Sequence, residues 1–348
     1  MPVTTTAVSD RRGTATHRSA GRAARWISWI FGMAMLAVVI VAALHASEGR
    51  DLLALAGRAR PPWLALAAVL QAATYVAQGE IFRLAAHASR HRIPLGAVYE
   101  LSLAKLFMDQ ALPSAGLSGT ALIAKALARR HIPRAVVAAS VLLNVASYRA
   151  AYAVCLAIAL TIGGTRHRLT QPVLVASAIF VALSLAVTAA ALMLAGPRVA
   201  SLPARVRRSR VFKPILAFIE DADPKLTRHP RVLGPAVTWQ VVIFVLDAAT
   251  VWAFVRALAA AASPTAVFAS FMISSLFRTV SIVPGGLGIF EATSVWTMRL
   301  MGVTVPVALA ATLLFRGVSF WLPMIPGLWA SRRITAAPAG AARRRDGR

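Results

Sequence analysis

The 348-residue chain is 58% hydrophobic and 14% charged, with a mean hydropathy of +0.67, which excludes an ordinary soluble globular domain and defines an integral membrane protein. Its net charge of +26 does not indicate nucleic acid, because the basic residues sit in the tails and in a few gaps between apolar runs, where cytoplasmic loops carry them. The single cysteine, Cys155, excludes an intrachain disulfide framework and a cysteine-based metal site, and reads as a small buried hydrophobe.

In chain order, residues 1–25 are polar and Arg-rich and read as a disordered basic tail. The run from Trp26 to Leu44 carries no charge and is too long for a signal-peptide core, so it reads as a retained first span. A crossing helix needs about 20 apolar residues, and six segments meet that need: 26–45, 62–84, 134–162, 171–195, 232–258 and 303–330. Glu80 and Arg83 near its end make the second the weakest. Two further apolar stretches, 95–130 and 264–301, are interrupted by LPSAGLSG at Leu112–Gly119 and VPGGLG at Val283–Gly288. Each half is short for a crossing, which predicts two broken or re-entrant helical hairpins. The region 334–348 reads as a second basic tail.

Orientation follows from the cations. The gap 196–232 holds Arg198, Arg205, Arg207, Arg208, Arg210, Lys213, Lys225, Arg228 and Arg231, so it reads as cytoplasmic. Six crossings then place both termini in the cytoplasm. Arg166, His167 and Arg168 are the imperfection, since this topology puts them outside.

The two broken stretches share an order of residues as well as a composition. Leu106-Phe107 and Leu276-Phe277 precede the breaks, Gly116-Leu117 matches Gly286-Leu287, and Pro133 matches Pro306. Further on, Leu142-Leu143 matches Leu313-Leu314 and Ser147-Tyr148 matches Ser319-Phe320. The matches divide the membrane region, 26–333, into halves at about 26–162 and 171–330. A unit with three net crossings must reappear upside down. The expected fold is therefore all-α and polytopic, with six spans and two hairpins in a 3+3 inverted repeat, a transporter-type arrangement.

The ionisable residues at depth are the candidate site. Arg149 lies near the middle of the third span and Arg316 near the middle of the sixth, at equivalent repeat positions to within a few residues, and Asp247 is central in the fifth. A mid-bilayer arginine costs about 2.5–3.5 kcal/mol on insertion scales, so each needs a partner or a wet cavity. Asp247 is either the structural partner of one arginine or a coupling acid. Where a helix restarts after a break, its free N–H groups and dipole favour an anion. Gly285, Gly286 and Gly288 permit close backbone approach there, as Gly116 and Gly119 do in the other half, or they simply allow tight packing. Lys105, Asp109 and Arg278 flank the breaks and either line the same cavity or reach toward the interfaces. Glu291, in the first turn of the restarted helix, is either a cap or a titratable coupling group. The histidines and acids show no metal spacing or paired-carboxylate motif, and no cofactor is expected.

PGGLGIFE at Pro284–Glu291, following Arg278, resembles the signature of the lysylphosphatidylglycerol synthase transmembrane-region family, also described as flippase-like domain proteins. LPSAGLSG, with Ile132–Arg134 behind it, resembles that family's first glycine-bearing break, although Ser-Ala stands where a glycine is often found. The resemblance covers about 26–333 and implies a polytopic protein of the bacterial inner membrane that moves an anionic or modified lipid headgroup between leaflets. It implies membrane lipids as partners, whether anionic phospholipid, glycolipid or isoprenoid-linked lipid, together with envelope biosynthesis enzymes. Full-length synthases carry an aminoacyl-transferase domain after the membrane part; here only 334–348 follow Arg333, so transferase activity is not expected. The competing classes are a membrane enzyme acting on a lipid phosphate and a non-transporting scaffold of an envelope pathway.

Overall fold

The computed structural model describes Ala37, Gly57, and residues 59–91, 93–111, 117–130, 132–165, 171–195, 197–205, 209, 213–280 and 283–336. The expected first span at 26–45, both basic tails, Gly116 and the Arg166–Arg168 cluster lie outside the described residues.

Within the described residues the chain is helical, without strands. Five helices are long and apolar enough to cross a membrane, and they coincide with five of the segments expected from hydropathy. These are α1 (Pro61–Ala88), α4 (Arg134–Thr165), α5 (Gln171–Leu194), α8 (Pro230–Ala257) and the continuous stretch of α11 (Val305–Arg316), a π turn (Gly317–Trp321) and α12 (Leu322–Ala336). Helices α1, α8 and α11 start with proline in the first turn, where the missing N–H has no intrahelical acceptor to lose. Two short helices, α6 (Lys213–Glu220) and α7 (Pro224–Thr227), lie in the basic connection between α5 and α8. Arg228 in that connection donates to the carbonyls of Leu192, Met193 and Ala195, closing the C-terminal end of α5.

The interrupted stretches form helical hairpins. α2 (Leu95–Ala111) packs on α3 (Leu117–Arg129), and α9 (Pro264–Val280) packs on α10 (Ile289–Leu300). At a rise of about 1.5 Å per residue, none of the four reaches the roughly 30 Å of the hydrocarbon core. Each pair must enter and return.

The packing follows a repeated scheme. α1 and α8 lie against each other; α1 contacts α2 and α4, as α8 contacts α9 and α11. α2 packs on α12, as α9 packs on α4. The Pro284–Gly286 turn of the second hairpin touches α2 of the first. The main apolar core runs through α4, α8, α9, α10 and α11, where Phe271 stands edge-on to Phe290 and Phe315 at centroid separations of 6.2 and 5.7 Å. By contrast, little of α5 is buried, and Ile179, Leu183 and Met193 lie exposed on a surface suited to lipid.

The α2–α12 contact depends on Gly327. A Cβ there would lie 2.6 Å from the Leu103 carbonyl oxygen, which is backbone and cannot move aside. We therefore expect Gly327→Ala to lower stability by about 1–3 kcal/mol through overpacking, measured as a reduced unfolding midpoint of the detergent-solubilised protein.

Candidate functional site

A cavity of about 160 Å³ opens where α1, α2, α8, α9 and α11 meet. Three cations line it, Lys105 from α2, Arg278 from α9 and Arg316 from α11, together with the acid Asp247 from α8. Gln71, Tyr75 and Gln78 of α1, Gln110 of α2 and Ser319 of the π turn complete a wall far more polar than the surrounding helices. Pockets for drug-sized ligands span roughly 300–1,000 Å³, so this one suits part of a headgroup.

Arg316 is 3% exposed and Glu291 is fully buried. The Arg316 Nε donates to Glu291 Oε1 at 2.5 Å, and its Nη2 donates to the Gly285 carbonyl at 2.8 Å. The other Glu291 oxygen accepts the Gly288 N–H at 2.6 Å, so the carboxylate caps α10 and neutralises the arginine at once. The guanidinium also lies 4.7 Å from the Phe290 ring centroid and 5.1 Å from that of Phe320.

This geometry explains the glycines. Gly285 and Gly286 take φ of +62° and +64°, in the left-handed region, and a Cβ on Gly285 would sit 2.2 Å from the Phe320 ring. On Gly286 it would sit 2.5 Å from Arg278 Cγ. Two N–H groups of the break are already engaged: Gly286 donates to the Val283 carbonyl at 2.9 Å and Gly288 donates to Glu291. That corrects the expectation of free N–H groups facing an anion at Gly286 and Gly288. The cations that line the cavity are the side chains of Lys105, Arg278 and Arg316.

The first hairpin uses the same device. Asp109 Oδ1 accepts the Gly119 N–H at 2.9 Å and its Oδ2 accepts Lys105 Nζ at 2.9 Å. A Cβ on Gly119 would meet Asp109 Oδ1 at 2.3 Å. In both hairpins, then, one carboxylate bridges a glycine N–H to a cation of the cavity.

The other candidates divide. Asp247 accepts from Gln71 Nε2 at 3.4 Å and is near the charge of Arg278 but forms no salt bridge among the described residues; the salt-bridged arginine, Arg316, is held by Glu291. Arg278 extends along the Phe290 ring at 5.6 Å and likewise has no salt-bridge partner among the described residues. Arg149 is half-buried on α4 and does not line the cavity.

The α4 residue that reaches the cavity wall is Asn144, whose Oδ1 accepts from Gln78 Nε2 at 3.0 Å and Gln240 Nε2 at 3.3 Å. Asn144 precedes Ser147 by the same three residues that separate Arg316 from Ser319. The register expected from the sequence therefore sets Arg316 opposite Asn144, a signal that a search restricted to charges passes over. Tyr75 and Gln110 were also missed. The Leu322 N–H turns to the Gly317 carbonyl, and Pro323 has no N–H to give, which frees the carbonyls of Val318 and Ser319. Tyr75 donates to the first at 3.0 Å and Gln110 Nε2 to the second at 3.2 Å.

An all-α, multi-pass membrane fold that encloses a cation-lined polar cavity defines the class of protein. The model of the family described as Lysylphosphatidylglycerol synthase TM region matches residues 29–327, and the chain belongs to that family. No curated protein matches it. The family places the chain in a membrane-lipid context.

Removing one partner of a buried ion pair leaves an uncompensated charge. Glu291→Gln should destabilise the protein by roughly 3–5 kcal/mol, read as a large fall in the unfolding midpoint in detergent.

Proposed function

We propose that this chain is a lipid translocase of the bacterial cytoplasmic membrane, with both termini cytoplasmic, and that it carries an anionic phospholipid, glycolipid or isoprenoid-linked headgroup between leaflets. The observation that carries this reading is the cavity walled by both hairpins, with Arg278 turned into it and in no salt bridge among the described residues. A guanidinium recognises phosphate by paired, charge-assisted hydrogen bonds. The cavity admits the headgroup while the acyl chains stay in the bilayer. The sequence has no GxxxxGK[ST] phosphate loop, so a gradient or mass action supplies the energy. Its polar lining binds; it offers no histidine and no pair of carboxylates for acid–base chemistry, which favours carriage over catalysis.

The matched packing of α1–α4 with α8–α12 supports an inverted repeat in which the first hairpin enters from the cytoplasm and the second from outside. Such halves exchange roles as the cavity opens to either side.

Two experiments test this. In phosphatidylcholine vesicles holding acyl-labelled phosphatidylglycerol, dithionite quenching reads the leaflet occupied. Arg278→Gln should slow movement roughly tenfold or more, matching a charge-assisted hydrogen bond of about 1.5–3 kcal/mol, while Arg149→Gln keeps most of the rate. A folded Arg278→Gln protein with the full rate would remove the site. Separately, cysteines placed at Arg90 and Ser263, the residues leading into the two hairpins, should react with an impermeant maleimide from opposite faces. Labelling from one face would overturn the inversion.

A further inference from the structure

We propose that Asp247 binds a proton when the cavity binds its anion, so that each anionic headgroup travels with one proton. The consequence for transport rests on the translocation reading; the proton uptake itself does not require transport.

Three acids lie in or beside the cavity, and two of them are committed. Asp109 and Glu291 each give one oxygen to a cation and the other to a glycine N–H. Protonating Glu291 would strand the buried Arg316, and protonating Asp109 would weaken its hold on Lys105 and on the Gly119 N–H. Asp247 has neither tie. It lines the cavity, where Gln71 donates to it over a long 3.4 Å bond and Thr74 is its other hydrogen-bonding neighbour, with the charge of Arg278 close by.

Gln71 fits this role. It is 4% exposed, it lines the same cavity, and its Oε1 has no hydrogen-bond partner. An amide can turn its N–H toward a carboxylate or its oxygen toward a carboxylic acid O–H. Rotated by a half turn, Gln71 serves the protonated acid as well as it serves the ionised one.

Charge balance supplies the coupling. Among the described residues, Lys105, Arg278 and Arg316 are offset by Asp109, Glu291 and ionised Asp247, so their charges balance in the empty site. A monoanion adds a negative charge in a low-dielectric region, where uncompensated charge is costly. A proton on Asp247 restores neutrality and leaves Arg278 to the anion. The titratable and charged groups facing Asp247 are Tyr75 of α1, Lys105 of α2, Arg278 of α9 and Arg316 of α11. Tyr75 is held as a donor to the Val318 carbonyl, and α4 contributes no charge to the wall, because Arg149 lies off it. The proton comes from water on the loading side, forms the O–H bond on Asp247, and leaves to water on the release side with the anion. Because binding takes up a proton, anion affinity rises as pH falls and weakens as pH rises.

The test uses the purified full chain in a weakly buffered detergent solution. Phosphatidylglycerol in mixed micelles and dimethyl phosphate, a soluble phosphodiester that does not titrate near neutral pH, are the two probes. Wild-type protein should take up about one proton per bound anion, and difference infrared spectra should show a new protonated-carboxyl C=O band. Asp247→Asn should lose the proton uptake and the band, and its anion affinity should no longer change with pH. Asp247→Glu should restore the uptake. Uptake with phosphatidylglycerol alone assigns a lipid anion, and uptake with both probes assigns the phosphodiester group itself. Anion binding without proton uptake in the wild type overturns the proposal, whether or not the variants fold, as does uptake that survives in Asp247→Asn. Binding of neither probe also overturns it. Vesicle transport that ignores pH overturns the coupling and leaves translocation standing, whereas proton uptake without transport does the reverse.

Discussion

The buried pair of Arg316 and Glu291 is the constraint around which the site is built. A guanidinium taken out of water inside a membrane needs its charge offset and its N–H groups occupied. Glu291, the Gly285 carbonyl and the flanking Phe290 and Phe320 rings supply this. Bringing backbone that close forces the positive φ values at Gly285 and Gly286 and leaves no room for a Cβ. The Pro/Gly break is thus a close-packed turn set by the ion pair rather than a flexible hinge.

The same physics recurs in the first half in a smaller form. Asp109 ties the Gly119 N–H to Lys105, a shorter acid holding a more flexible cation. Asn144, in the register position of Arg316, is neutral and binds glutamines. The two hairpins use the same carboxylate-to-glycine device, while most of the ionisable groups of the cavity belong to the second half of the chain. With Arg316 held by Glu291 and Lys105 by Asp109, Arg278 and Asp247 are left as the adaptable members of the cavity.

Proline at 323 connects this chemistry to the packing. It forces a π turn just after Arg316, and the carbonyls so released are taken up by Tyr75 and Gln110. Irregular backbone at membrane depth is tolerated where protein or a cavity satisfies it. Here the satisfaction also ties α1 and α2 to the sixth predicted span, at the cavity itself.

Much of the fold was legible in the chain. The five described spans and both hairpins follow from apolar run length, Pro/Gly interruption and cation placement, and Arg316, Arg278, Asp247 and Glu291 stood out as ionisable residues in apolar surroundings. Arg149 stood out equally but points elsewhere, and Gln71 and Gln110 carried no signal because uncharged amides are unremarkable in a span. Sequence alone determined the membrane class and the helical segments, since hydrocarbon thickness and backbone hydrogen bonding act along the chain and are read in one dimension. Only the tertiary structure decided which polar groups share the cavity and which acid holds which cation. Those choices depend on how each helix is rotated against partners distant in the chain, as with Gln71 and Asp247, 176 residues apart.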